Sequence, residues 1–239
     1  MEQRIIDLIA LLEKEGLELP RDFAKKLLQF EAELLETNQV MNLTAITDPD
    51  EMMKKHYWDS IFPASKELFP QGAKVVDVGC GGGFPSMPLK LARPDLDMTL
   101  MDSLNKRLGF LDRVIDGLHL QKIRTLHLRA EDAGRNAALR GSYDLAVSRA
   151  VAELSKLCEY CLPLVKKGGA LIAYKGATAD EELERAQNAI RILGGKTEQV
   201  FHYTLPDEED KRAILVIRKV NDTPKAYPRL PKQIKERPL

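Results

Sequence analysis

Apolar residues fall at Ile5, Leu8, Ile9 and Leu12, the spacing of a single helical face. Gly16 ends that helix, Pro20 opens the next, and Phe23, Leu27, Phe30 and Leu34 give the second helix its stripe. Asp48-Pro49-Asp50-Glu51 reads as a third helix start, with an Asp N-cap, a proline in the first turn and acids on the positive dipole end. That helix carries Met52, Met53, His56 and Tyr57. After Gly72 the period changes. Short β-rich runs predict strands over 74–79, 97–102, 124–128, 143–148, 169–175, 197–203 and 212–219. Helical spacing predicts helices over 86–93, 104–117, 131–138, 152–165 and 179–193. Alternation of this kind implies right-handed crossovers and a mostly parallel sheet with helices on both faces. Only the loop 205–210 separates the last two strands, so they are expected to pair antiparallel. The predicted fold is α/β: a mostly parallel, seven-stranded, Rossmann-like sheet with an antiparallel terminal hairpin. Its expected divisions are a helical N-terminal extension over 1–70, packed on the core because no long linker follows it, a main domain over 71–220 and a basic tail over 221–239.

Composition narrows the class. With 239 residues, 44% hydrophobic and 30% charged, the chain has material for a substantial core. No run of about 18 apolar residues suits a membrane span, and Met1-Glu2-Gln3-Arg4 does not open a signal-peptide apolar core. Three cysteines make no disulfide framework, and a cytoplasmic location is expected. The formal net charge is zero, yet residues 211–239 hold nine Lys/Arg against Asp222 and Glu236. A basic end of this kind is either a polyanion contact or a solvated, partly disordered terminus, and charge alone leaves both open.

The chemistry-bearing segment is Val75-Val76-Asp77-Val78-Gly79-Cys80-Gly81-Gly82-Gly83-Phe84. Glycines after a strand permit positive φ and let a ligand approach the backbone. The dinucleotide fingerprint fails at Phe84, where Gly or Ala is needed for close helix–strand packing. Asp77 just before the turn suits a cationic ligand and opposes a pyrophosphate; S-adenosylmethionine has an ammonium, a sulfonium and no phosphate. Asp102 ends the second strand about 20 residues on, where an acid meets ribose hydroxyls, although it could equally cap the following helix. Glu131-Asp132 follows the third strand and is expected on the same rim. Ser148-Arg149-Ala150 ends the fourth strand in place of the Asp/Asn-Pro-Pro-aromatic motif that grips a planar amine, and Lys175-Gly176 closes the fifth. There is no Pro-Cys pair for attack on a pyrimidine carbon. Cys80 reads as packing within the turn, and Cys158 and Cys161 as core residues of a helix. No His/acid cluster has metal-ligand spacing, so no metal is expected.

Several motifs occur in order: Asn42-Leu43-Thr44-Ala45-Ile46, His56-Tyr57-Trp58-Asp59-Ser60, the Asp77–Ser86 turn, Asp102-Ser103-Leu104-Asn105-Lys106-Arg107, Ser148-Arg149-Ala150-Val151 and Tyr174-Lys175-Gly176. Together they resemble the RsmG/GidB family of bacterial 16S rRNA methyltransferases over nearly the whole chain. Ser86 departs from a glycine common in that family, at a helix start where serine is acceptable. The resemblance implies a class I S-adenosylmethionine-dependent methyltransferase that acts on N7 of a guanosine in the decoding-region loop of 16S rRNA or the small subunit. It also implies a cofactor site of Asp77, Gly79, Gly81, Phe84, Asp102, Ser103, Ala130, Glu131 and Arg149. Guanine N7 is nucleophilic and carries no proton, so such a site needs alignment and no general base. Arg149 and Lys175 are then expected to hold phosphate or the O6 edge. Asn42, His56, Asp59 and Ser60 are candidates for substrate-side polar contacts, and Trp58 is expected in the core. A monomer is expected. A same-fold methyltransferase of a small molecule or protein, and a non-catalytic RNA-binding module, remain alternatives.

Overall fold

The computed structural model describes residues 2–239. Helices α1 (Gln3–Lys14) and α2 (Phe23–Met41) come first, and α2 ends on Asn42 in the left-handed region. A continuous helical run follows: α3 (Pro49–Glu51), a π-helical stretch Met52–Trp58, α4 (Asp59–Ile61) and a 3₁₀ turn Phe62–Lys66. The Asp48 side chain caps it by accepting from the amides of Asp50 and Glu51, as its sequence predicts. The π-helical stretch has no sequence signal; such stretches concentrate at functional sites.

The alternating region contains β1 (Lys74–Val78), α5 (Ser86–Ala92), β2 (Asp97–Asp102), α6 (Asn105–Gly117), β3 (Ile123–His127), α7 (Ala130–Arg135) and β4 (Tyr143–Arg149). It continues through α8 (Leu154–Cys161), β5 (Val165–Lys175), α9 (Ala179–Ile192), β6 (Gly195–Thr204) and β7 (Lys211–Lys219) to α10 (Pro231–Glu236). The seven strands form one sheet in the order β3-β2-β1-β4-β5-β7-β6, with only β7 antiparallel to its neighbours β5 and β6. Every predicted strand is present. Among the strands the largest boundary error is at β5, which starts at Val165 rather than 169, because its exposed Lys166-Lys167-Gly168 opening carries no apolar alternation to announce it; the helix expected over 152–165 likewise stops at Cys161.

Strand alternation sorts side chains onto two faces. Val75, Leu100, Val147, Ile172 and Val216 join α1, α2, α5 and α6 in one core. Val76, Val78, Ala146, Leu171 and Ile217 join α8 and α9 in the other. Cys158 and Cys161 lie fully buried in the second core, and Trp58 lies in the first, stacked on Phe62 at 4.6 Å.

The tail is neither a disordered end nor merely a solvated one. Glu159, 1% exposed, accepts from the Arg229 amide, Nε and Nη2. Arg140 donates to the carbonyls of Thr223, Pro224 and Tyr227, and Ile234 of α10 is fully buried. The tail is a strap across α7 and α8. Arg229 thus serves packing, while Lys225, Lys232, Lys235 and Arg237 remain exposed. Among the described residues no helix is long and apolar enough to cross a membrane.

Candidate functional site

The turn after β1 places Gly79, Gly81 and Gly83 at φ +79°, +55° and +97°. A Cβ on Gly79 would stand 2.6 Å from Cγ2 of Val151, so this position excludes side chains on space as well as on backbone conformation. The amides of Gly79 and Cys80 donate to the Met101 carbonyl at 2.8 and 3.1 Å, which ties the turn to the end of β2. Asp102 completes the tie: Oδ2 accepts from the Gly81 amide at 3.0 Å and Oδ1 from the Leu104 amide at 2.8 Å. One carboxylate therefore holds both the glycine turn and the start of α6. The cap and the rim acid foreseen as alternatives are the same group.

These elements border a cleft of about 680 Å³ at the carboxyl ends of the parallel strands. Such a volume suits a nucleoside-sized ligand. Gly79, Gly81, Phe84, Asp102, Ser103, Ala130, Glu131 and Arg149 all line it. Met101, Leu104, Leu128 and Tyr160 add apolar walls. Glu131 is buried against the cleft, whereas its neighbour Asp132 points to solvent.

On the opposite wall the π-helical stretch and α4 present Lys55, His56 and Asp59. Arg149 Nη1 donates to Asp59 Oδ2 at 2.8 Å and to the Lys55 carbonyl at 3.0 Å, and its Nη2 stands 3.2 Å from His56 Nδ1. Asp59 Oδ1 accepts from the Tyr203 hydroxyl at 2.8 Å. Burial, and then the Arg149 charge, hold the His56 pKa down at about 3, so the ring is neutral. A guanidinium only donates, so Nδ1 must accept and the proton sits on Nε2, which faces Thr44 Oγ1 at 2.7 Å. The ring stacks on Phe84 at 4.1 Å, and the Arg149 guanidinium carbon lies 5.2 Å from the centre of the same phenyl ring. Arginine, imidazole, phenyl ring and carboxylate thus lock one another on the cleft wall.

The remaining candidates lie elsewhere. Asp77 is completely buried, and neither its oxygens nor Ser86 Oγ closes a well-formed hydrogen bond, although the adjacent Ser86 partly offsets the rise in its pKa. Asp77 therefore sits beneath the turn and not on the cleft wall. Ser60 is also buried; its carbonyl accepts from the Tyr174 hydroxyl. Asn42 is exposed at the end of α2, and its neighbours Leu43 and Thr44 are the ones that reach the cleft. Lys175 lies in an adjoining cavity, with Nζ committed to Glu182 and the Ala152 carbonyl, each at 2.7 Å. Sequence reasoning passed over Thr44, Tyr203 and Arg212. Thr44 had a signal, since it stands in the Asn42–Ile46 motif. Arg212 had none: an antiparallel β7 brings its first residues to the rim, and spacing does not reveal which end of such a strand faces a site.

The family model described as GidB, rRNA small subunit methyltransferase G, matches residues 24–212. The chain is similar to the Ribosomal RNA small subunit methyltransferase G of Lactobacillus johnsonii, with 47% identity over 95% of this chain and 96% of that one. Similarity to the protein of the same name from Listeria monocytogenes serovar 1/2a is also 47%, over 93% of each. Among solved structures, a SAM-dependent methyltransferase from Methanosarcina mazei superposes with a TM-score of 0.53 at 12% identity, covering 67% of this chain and 98% of that one. A 16S rRNA (adenine(1408)-N(1))-methyltransferase from Catenulisporales acidiphilia gives 0.52 at 14%, over 66% and 90%. At such identities these two show the class I methyltransferase fold alone. The family match and the close relatives, over nearly their whole lengths, show that the chain belongs to the GidB family, rRNA small subunit methyltransferase G.

Proposed function

We propose that this chain transfers the methyl group of S-adenosylmethionine to N7 of a guanosine in small-subunit rRNA, in the loop of the decoding region. The observation that carries this reading is the state of His56. Among the described residues it is the one imidazole on the cleft, it is neutral, and both its nitrogens are engaged. Asp59 and Asp102 likewise spend their oxygens on fixed donors. His56, Asp59 and Asp102 are thus arranged to align a nucleophile and not to take a proton, and Glu131, the cleft's other acid, is left for the adenine; this fits an atom that has a lone pair and no hydrogen.

The residues present fit the methyl donor. The glycine turn leaves open backbone, and a Cβ at Gly81 would meet nothing within 4 Å. Gly79, Gly81 and Phe84 would hold its amino-acid end above Asp77, Asp102 and Ser103 its ribose, and Ala130 and Glu131 its adenine. When bound, the donor supplies an electrophilic methyl carbon on a sulfonium. Arg149, braced by Asp59 and His56, then fixes the wall against which the guanine lies. N7 faces the deep, narrow groove of A-form RNA, so an unpaired loop base is the accessible substrate.

Labelled donor offered to small subunits, naked rRNA and protein extract tests this, with cleavage at 7-methylguanosine mapping the position. Label at one guanosine of the rRNA is the expected result. Label in protein or in small molecules, or none, overturns it. Arg149→Ala should slow single-turnover methylation on the order of a hundredfold, the usual cost of a misplaced reacting pair. An unchanged rate would remove Arg149 from the mechanism.

A further inference from the structure

A second cavity of about 330 Å³ opens beside the main cleft. Asp59, Arg149, Ala150, Val151 and Arg212 line both. The cations bordering this junction differ in what they have left to give. Arg149 is committed to Asp59, His56 and a carbonyl, and Lys175 to Glu182 and a carbonyl. Among the described residues Arg212 is hydrogen-bonded only through Nη2, to Asp210 at 2.6 Å, and its Nε–H is buried without a partner. Asp210 lies two residues back, on the exposed loop between β6 and β7. The same loop sets Glu208 3.8 Å from Lys54, another basic residue, on the neighbouring π-helical stretch.

Arg212 Nη1 carries no hydrogen bond among the described residues and is not buried, so the Nη1–Nη2 edge can take a bidentate anion once Asp210 lets go. Positive charge grows on guanine as N7 is methylated, so a cation pressed against the base without a neutralising carboxylate, such as Asp59 provides for Arg149, would oppose the reaction. The fitting partner is the strand's phosphate. We propose that Arg212 grips a backbone phosphate of the RNA at the junction of the two cavities, and that Asp210 holds this guanidinium until the RNA displaces it. The inference rests on the rRNA-methylation reading above.

The test uses the full chain and a 16S rRNA transcript carrying the target loop, with binding followed over a series of salt concentrations and steady-state methylation measured alongside. Arg212→Gln should raise the KM for RNA about tenfold, the scale of a lost charge-assisted hydrogen bond. It should also make the slope of log K against log salt shallower by about 0.7, one single-strand phosphate contact. The kcat and the affinity for the donor should stay within about twofold. Arg212→Lys should restore the slope and only part of the affinity, because it returns the charge without the fork. Asp210→Asn leaves Arg212 untouched and should tighten RNA binding several-fold, so the proposal stays testable even if the arginine variants misfold. An unchanged slope and KM in Arg212→Gln, donor affinity lost in step with RNA affinity, or weaker RNA binding by Asp210→Asn would each overturn it. Where wild-type protein labels only assembled small subunits, the same series is run on those, and failure of the underlying reading would show earlier and differently, as wild-type protein that labels neither transcript nor subunit.

Discussion

Asp77 has a fully buried carboxyl group with no hydrogen bond to either oxygen. Burial raises its pKa from the ordinary 3.8 to about 7, against smaller lowering effects from Ser86 and Arg149. The sign for stability follows from proton counting. Between those two values the native chain holds a proton that the unfolded chain releases, so stability is full below about pH 4 and drains away as pH rises through about 7. His56 works in the opposite direction, since its depressed value removes stability as pH falls from 6.5 towards 3. Asp77→Asn should therefore raise the thermal midpoint at pH 8, by a stability gain bounded at about 4 kcal/mol, with the gain closing towards pH 4. The same variant should bind the methyl donor more weakly, because a buried charge that costs stability is characteristic of a functional position. Thermal scans across pH with calorimetric titration of the donor check both; a pH-independent midpoint difference would refute the assigned titration. The importance of Asp77 was legible from its place between a strand and a glycine turn. Its depth was not, because a shift of one residue along β1 decides which face a side chain takes: Val76 and Val78 join one core, and Val75 the other.

Among the elements, those with local causes were the legible ones. Glycine at the corner, the Asp48 cap and the apolar periods act within a few residues, and β1, β2, β4, α5 and α6 lie within a residue of where those signals put them. The strap was hidden because its partners are remote. Arg229 meets Glu159 across 70 residues, and Arg140 reaches carbonyls 83 to 87 residues away. A count of charges carries no trace of either contact. Glu159→Ala should unfasten the strap, leaving Arg229 with the Arg237 carbonyl alone. Loss of one member of a buried pair costs about 3 kcal/mol at the low end, and the low end applies because Arg229 keeps 20% of its side chain exposed. The observable is limited trypsin digestion. Wild-type chain should resist cleavage after Lys225 and Arg229, and the variant should lose its terminal segment several times faster while the remainder stays intact. Equal digestion of both would mean that the strap is held chiefly by Arg140 and Ile234.

For the whole molecule, the division at residue 70 marks a change of pattern and not a physical seam. One core runs from Ile5, Leu8 and Leu12 of α1 through Phe30 and Phe84 to Val216 of β7. The junction is also polar: Glu31 of α2, 6% exposed, accepts from Arg4 of α1 at 2.8 Å and from the Tyr57 hydroxyl at 2.7 Å. Tyr57 is the immediate neighbour of His56 in the π-helical stretch, so α1 braces the wall that Arg149 leans on. The glycine turn, by contrast, hangs from β1 and β2 and touches α1 nowhere in its hydrogen bonding. Removing residues 1–16 should thus separate two properties of the site. The thermal midpoint should fall by about 10 °C or more, the scale for several kcal/mol lost from a chain of this length. At a temperature where the shortened chain is still folded, donor affinity should persist within a few-fold while methylation of rRNA drops by at least tenfold, since misplacing the wall costs alignment. Calorimetry of unfolding, donor titration and single-turnover methylation on the same preparation decide it. Two separate unfolding transitions in the intact chain, or methylation retained without α1, would show that the helical extension is a passive neighbour of the catalytic sheet.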